Sequence, residues 1–213
     1  MKWLIPLAAL AACGMLGSAP AHAQRAANLS GRDISPGERA RDTMNRFAVC
    51  VVKARPTMVQ SALAETSQAR KIVALSNVAK SECLAGGFLR MDPPIFEGAL
   101  YRALYLREFG DDPAVVRTLS EGAAAEFPDA RLTFADCVVR TDPAAVHALL
   151  ESAPVTAEEQ AALAALGAAF AACIPADQQL QFSPGHLQAV LAQAIYKRAV
   201  QAASGGSLRE AAE

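Results

Sequence analysis

The chain has no surplus of charge of either sign and few aromatic side chains. Of its 213 residues, 20 are Lys or Arg, 21 are Asp or Glu, and 6% are aromatic. This balance excludes a strongly basic nucleic-acid binder, in which Lys and Arg would outnumber the acids. A hydrophobic content of 53%, to which 48 Ala residues contribute, excludes a disordered chain, because disorder accompanies low hydrophobicity and high net charge. We therefore expect a globular protein that binds no nucleic acid.

Signatures of catalysis and of cofactor binding are absent as well. The chain contains neither a G-x-x-x-x-G-K-[ST] loop nor a G-x-G-x-x-G loop after a strand. Its single Trp, Trp3, lies in a segment that we assign to targeting, which leaves no Trp for stacking against sugars. Ser183 and His186 are three residues apart, but a helix N-cap explains Ser183 and a solvated first turn explains His186. We predict no catalytic residue and no cofactor.

The N-terminus has the three parts of a secretory signal peptide. Lys2 is followed by the apolar segment from Trp3 to Leu16, and Ala21-His22-Ala23 has the small-residue form of a cleavage site. The apolar segment is too short for a membrane-spanning helix, which needs roughly 20 residues. We expect residues 1–23 to be removed before Gln24, and the protein to be exported to the periplasm.

A lipoprotein signal is the alternative. Leu10-Ala11-Ala12-Cys13 resembles a lipobox, in which the Cys is acylated and becomes the new N-terminus. Only 12 residues precede Cys13, which is short for such signals. On this alternative, and only on it, the protein is membrane-anchored, through Cys13.

The remaining chain repeats itself. The motif F-A-x-C-V-V-[KR] begins at Phe47 and again at Phe134, and eight of 17 positions are identical at this offset of 87. A second Cys follows in each copy at an offset of 90, and Tyr105 and Tyr196 correspond at an offset of 91. Because blocks recur in the same order, we predict an internal duplication.

Each copy is predicted to be helical and to contain about four helices. Capping signals mark several helix starts: Ser35-x-x-Glu, Thr156-x-x-Glu, Asp92-Pro93 and Ser183-Pro184. No segment alternates with a period of two, as a half-buried strand would. The predicted organisation is a leader (24–35), repeat 1 (36–109), an acidic linker with a short helix from Asp112-Pro113 (110–127), repeat 2 (128–203) and a disordered tail (204–213).

Four cysteines remain after signal cleavage, an even number in an exported chain, which favours disulfides. Four cysteines allow three pairings. The duplication favours one bridge within each copy, because a single-copy ancestor could only have closed its own pair. We therefore predict the pairs Cys50–Cys83 and Cys137–Cys173.

No metal site is predicted. The cysteine spacing lacks a C-x₂-C knuckle, and the two His residues left after cleavage, His147 and His186, both lie in the second copy. The corresponding positions of the first copy are Gln60 and Ile95 or a neighbour, so no set of ligands is repeated.

The corresponding tyrosines have two interpretations. Tyr105 and Tyr196 either pack in the core with their hydroxyls at a polar edge, or act as anchors in a groove between the copies. The start of the first copy is basic and the linker is acidic, which is typical of solvated faces or of self-association.

The duplicated F-A-x-C-V-V-[KR]-x-x-P-x-x-V pattern with its paired cysteines resembles small exported helical proteins of Gram-negative bacteria. The resemblance covers residues 36–203. It implies a fold and a compartment, and no active site carries over from it.

These observations favour a non-enzymatic binding protein whose partner is another protein of the cell envelope, such as an adaptor, a chaperone or an inhibitor. One alternative is a carrier with a cavity lined by Ala, Leu and Phe. Another is an envelope enzyme with residues from one copy only, in which Glu97, Asp111, His147 or His186 would converge.

Overall fold

A computed structural model describes residues 35–80, 83–84, 92–125, 127–174 and 180–204. These residues form helices and connecting turns and contain no strand, which confirms the predicted all-α fold class. In chain order the helices are α1 (Pro36–Ala54), α2 (Pro56–Ala64), α3 (Gln68–Ala79), α4 (Pro93–Glu108), α5 (Pro113–Thr118), α6 (Ala130–Thr141), α7 (Pro143–Glu151), α8 (Ala157–Ala165), α9 (Gly167–Cys173) and α10 (Pro184–Ser204).

Local side-chain chemistry explains where several helices begin. Ser35 and Glu38 form a reciprocal capping box at the start of α1, as predicted. Asp112 accepts hydrogen bonds from the first turn of α5, which confirms the short helix inside the linker. At α8 the box is incomplete: Thr156 accepts from the Glu159 N–H, while the Glu159 carboxylate binds elsewhere.

One predicted cap is absent. Asp92 precedes Pro93 at the start of α4, but its side chain accepts no hydrogen bond from that helix. The carboxylate lies instead 3.6 Å from His186 Nε2 at the start of α10. Pro94, at the second helical position, has no N–H, so the first turn of α4 lacks one of the two donors that an N-cap side chain binds.

The helices follow the same order in both halves of the chain: a Cys-bearing helix, a short helix that begins with Pro, the helical segment before the second Cys, and a longer helix that also begins with Pro. The first half (residues 36–109) uses four described helices for this order. The second half (128–203) uses five, because its third segment is interrupted at Leu166, next to Gly167. Gly has a low helix propensity, which accounts for a break at this point.

The described parts of the two halves share one hydrophobic core rather than forming separate bundles. The most extensive helix–helix contact joins α4 of the first half to α10 of the second, and α1 packs on α4 as α6 packs on α10. Buried side chains of this core include Leu100 and Leu104 from α4 and Leu191 and Ile195 from α10, all of them fully enclosed.

The axes of α4 and α10 approach closely at Gly98 and Ala189. A Cβ atom on Gly98 would overlap with both Cα and Cβ of Ala189. The two residues are 91 apart, the same offset that relates Tyr105 to Tyr196. A contact between corresponding positions is what a pseudo-twofold relation between the halves would produce, and the internal duplication remains a prediction.

Both predicted disulfides are confirmed. Cys50 bonds to Cys83 and Cys137 to Cys173, with Cα–Cα distances of 5.8 and 5.7 Å. Each bridge connects the first helix of its half to the end of the third helical segment. Cys83 follows α3, and Cys173 is the last residue of α9. Closed loops of this size stabilise a fold by about 3–4 kcal/mol in the chain-entropy estimate.

The predicted signal peptide (1–23), Cys13 and nearly all of the leader and tail lie outside the described residues. Of the helices that are described, none has both the length and the apolar character that a membrane crossing would require.

Candidate functional site

Tyr105 is enclosed in the core near the end of α4. Its hydroxyl lies 2.9 Å from Nδ1 of His147, and the two rings meet edge to face. His147 Nε2 in turn lies 3.4 Å from the Glu151 carboxylate. Tyr105 exposes none of its surface in this arrangement, so its predicted role as an anchor in a groove would require it to move.

Tyr196, at the corresponding position of α10, is only partly buried. Its hydroxyl donates to Oε2 of Glu108 at 3.1 Å, and the amide of Gln60 donates to the other oxygen of the same carboxylate at 3.0 Å. The ring of Tyr196 also packs against Tyr101 of α4. Tyr196 therefore connects α10 of the second half to Glu108 and Tyr101 of the first, and through Glu108 to Gln60.

The pKa values of all three tyrosines of the chain are raised. Burial raises the pKa of Tyr101 well above its usual value, and the nearby Glu97 carboxylate adds to the rise. Burial likewise raises the pKa of Tyr105, with a contribution from Glu151. For Tyr196, burial raises the pKa to about 12. Each phenol is therefore held in its neutral form, the form that a poorly hydrated site favours.

The four residues considered for an enzyme do not form a common site. Glu97 pairs with Lys71 of α3 at 3.1 Å, and Asp111 is exposed in the turn before α5. His147 binds Tyr105, whereas His186 binds Ser183. Within the described residues, no group of three or more His, Cys, Asp or Glu side chains could hold a metal ion.

Ser183, His186 and Asp92 lie close together at the starts of α10 and α4. Ser183 Oγ lies 2.8 Å from His186 Nδ1, and His186 Nε2 lies 3.6 Å from the Asp92 carboxylate. Ser183 Oγ also accepts from the backbone N–H of His186, as an N-cap does. Ser183 therefore acts as the N-cap of α10. Ser183 and Asp92 are exposed, and none of the three residues lines the small cavity between α1, α4 and α10.

A buried ion pair that was not predicted from the sequence connects α10, α6 and the linker. Arg198 of α10 donates to both oxygens of Asp136 on α6, with the shorter distance 2.6 Å, and both side chains are almost fully buried. The same guanidinium donates to the backbone oxygens of Leu119, Glu121 and Ala123. Its donors are thus divided between one carboxylate and three linker carbonyls.

One sequence signal pointed to this pair. Asp136 occupies the variable position of F-A-x-C-V-V, where the first copy has Val49. A charged residue in the middle of an otherwise apolar helix segment needs a partner, because an unpaired buried charge is costly. The motif did not reveal which of the basic residues that partner is.

A second ion pair, between the partly buried Arg41 and the buried Glu159, joins the two halves directly. Arg41 of α1 donates to both oxygens of Glu159 on α8, at 2.5 and 2.9 Å. The Glu159 carboxylate also accepts from the N–H of Val155 at 2.7 Å. Val155 has a φ of 65°, in the left-handed region that a β-branched residue rarely adopts. The bonds made by Glu159 help hold the chain in that conformation.

A small polar cavity lies between α1, α4 and α10, close to this ion pair. The side chains around it include Arg41, Asn45, Arg102 and Gln188, and no Leu or Phe lines it. Asn45 and Gln188 are buried, and their amide nitrogens have no hydrogen-bond partner among the described residues. The cavity is small, and of the Ala, Leu and Phe expected to line the cavity of an apolar-ligand carrier only Ala is present here.

The outer surface of α1–α3 carries most of the exposed apolar side chains. The described residues include five exposed large hydrophobic side chains, and four of them lie on these helices: Val49, Met58, Ile72 and Val73. Residues 36–79 contain seven basic and three acidic residues, a net charge of +4. The three acids are partly buried, whereas five of the seven basic residues are exposed: Arg39, Arg46, Lys53, Arg55 and Arg70.

On α1 the exposed residues Arg46, Val49 and Lys53 follow one another at intervals of three and four, so they lie along one side of the helix. The second half differs at the corresponding positions: Asp136 is buried where Val49 is exposed, and Ala145 stands where Met58 does. The apolar and basic surface is therefore particular to the first half.

No known protein family, curated protein or solved structure shows significant similarity to this chain.

Proposed function

We propose that the protein is an exported, non-enzymatic binding protein of the bacterial periplasm that contacts a protein partner through the outer surface of α1–α3. The observation that carries the proposal is the combination of exposed apolar side chains, Val49 and Val73 among them, with exposed positive charge on the same three helices. A contiguous exposed apolar patch is typical of an interaction site, and these side chains lie on helices that contact one another, α1 with α2 and α2 with α3.

The charge of this surface indicates the chemistry of the partner. Residues 36–79 have a net charge of +4 while the whole chain has −1, so the remaining residues together carry −5. A partner with an acidic surface around apolar side chains would complement α1–α3 and would bind faster at low ionic strength. Self-association is the second candidate, because the remaining residues of every copy carry a net negative charge.

Export is supported by the two disulfides, which persist in oxidising compartments such as the periplasm. Intact mass of protein from its native envelope, before and after reduction and alkylation, tests this step. A chain that begins at Gln24 and has no free thiol is expected. A heavier, acylated chain that begins at Cys13 would replace this proposal with an anchored lipoprotein.

Site-specific photo-crosslinking in the native envelope tests the surface itself. A photoreactive residue at Val49 or Val73 is expected to give a discrete crosslinked species, whereas the same residue at the exposed positions Gln160 or Ala148 of the second half should give none. Mass spectrometry of the crosslinked species separates a different protein from a second copy of this chain. Crosslinks of equal yield at all four positions, or at none, would contradict the proposal.

A further inference from the structure

The polar cavity between α1, α4 and α10 has the chemistry of an anion site. Asn45 Nδ2 and Gln188 Nε2 are both buried and have no hydrogen-bond partner among the described residues, although their side chains line the same cavity. A buried donor left without an acceptor costs about 1–3 kcal/mol, so two such donors on one cavity point to an acceptor that belongs there.

The charged residues that line the cavity, Arg41 and Arg102, are both basic, and the guanidinium of Arg41 is already paired with the Glu159 carboxylate. Ile95 and Gly185, which also line it, lie in the first turns of α4 and α10. Helix N-termini carry a partial positive charge, so both helices add to the positive potential inside the cavity.

The size of the cavity restricts the ligand. The cavity leaves about 10 Å³ for the centre of a water-sized sphere. This is room for one water molecule or one ion of similar size. Polyatomic anions such as acetate or phosphate need several times this space. A water molecule also fits and can accept from both amides, but its two hydrogens then need acceptors of their own, whereas an ion that only accepts needs none.

We propose that this cavity binds a single halide ion, chloride under physiological conditions, held by the amide groups of Asn45 and Gln188. The ion would join α1 and α4 of the first half to α10 of the second. Because it binds the folded chain and not the unfolded one, it stabilises the fold by mass action.

Thermal unfolding in potassium chloride, potassium bromide and potassium gluconate at matched ionic strength tests the proposal. Chloride and bromide are expected to raise Tm by about 2–4 °C relative to gluconate, which corresponds to a site filled to roughly four-fifths. The variants Asn45→Leu and Gln188→Leu should lose this difference. Asn77→Leu, which makes the same kind of change at an exposed position of α3, should keep it.

Crystals grown in bromide give a second readout that needs no variant, and they decide the matter if Asn45→Leu or Gln188→Leu fails to fold. An anomalous bromide peak within hydrogen-bond distance of both amides supports the proposal. A water molecule at that place, an equal Tm in chloride and gluconate, or a chloride effect that persists in both variants would overturn it.

Discussion

Gly98 and Ala189 touch where α4 of the first half crosses α10 of the second, and the contact leaves no room for a side chain on Gly98. The absence of a Cβ is what lets α4 and α10 approach closely enough to pack their buried residues. Around this crossing lie the shared core, the polar cavity and the tyrosines that reach from one half to the other.

Gly98→Ala is therefore expected to destabilise the protein by at least about 2 kcal/mol, because the new Cβ would overlap with backbone as well as side-chain atoms of Ala189. Urea unfolding followed by circular dichroism measures the change. Gly37→Ala is the control: nothing lies within 4 Å of its added Cβ in the first turn of α1, and it should gain about 0.5–1 kcal/mol. Equal effects of the two substitutions would show that the crossing is not tightly packed.

Arg198→Met should cost about 3–5 kcal/mol, because it leaves the buried Asp136 carboxylate without its main partner and frees three linker carbonyls. Arg140 also binds Asp136, at 3.2 Å, but it is more exposed, so Arg140→Met should cost under about 1 kcal/mol. Denaturant unfolding of both variants checks the ranking. Limited proteolysis adds a local test, since only Arg198→Met should increase cleavage within residues 119–125.

The three tyrosines predict a loss of stability in alkali. Their folded pKa values lie above the value of about 10 for an unfolded tyrosine, so the folded state holds these protons more tightly. This contribution is complete below about pH 10 and disappears as the pH rises through the folded values, about 12 for Tyr196.

Phenolate absorbance measured against pH checks this, because the chain has only these three tyrosines. The native protein should show little phenolate near pH 10, and ionisation should coincide with the loss of helical circular dichroism. In denaturant all three should ionise near pH 10. A native tyrosine that titrated there without unfolding would contradict the burial described above.

The two disulfides should differ in their rate of reduction. Their loops have nearly equal lengths, 33 and 36 residues, so their entropic contributions are similar. Access differs: Cys50 is exposed, whereas Cys173 is buried. Because exchange requires a thiolate to reach a sulfur atom, mild reduction without denaturant should open Cys50–Cys83 first.

Differential alkylation with mass spectrometry follows both bridges during such a reduction. The two should open at similar rates once denaturant is added, which serves as the control. Simultaneous opening in native buffer would indicate that reduction proceeds through global unfolding instead.

The predicted helix starts differ in whether the capping side chain binds nearby residues or a distant one. The capping box at Ser35 and the cap at Asp112 form as the sequence indicates, since donor and acceptor are within three residues of one another. Asp92 also precedes a proline, but a second proline, Pro94, removes one of its local donors, and its carboxylate lies beside His186, which is far along the chain and close in space. A competing partner of that kind leaves no mark in the neighbouring sequence.

What the sequence alone determined is the all-α class, several of the helix starts and the pairing of the cysteines, because these follow from local propensity and from the order of the repeated motifs. Only the tertiary structure decided that the described halves share one core, that Arg198 reaches Asp136 across 62 residues, and that Asn45 and Gln188 meet at one cavity. Such choices depend on which helix faces meet, and a residue's burial is set by the neighbours that the fold brings to it rather than by the residues beside it.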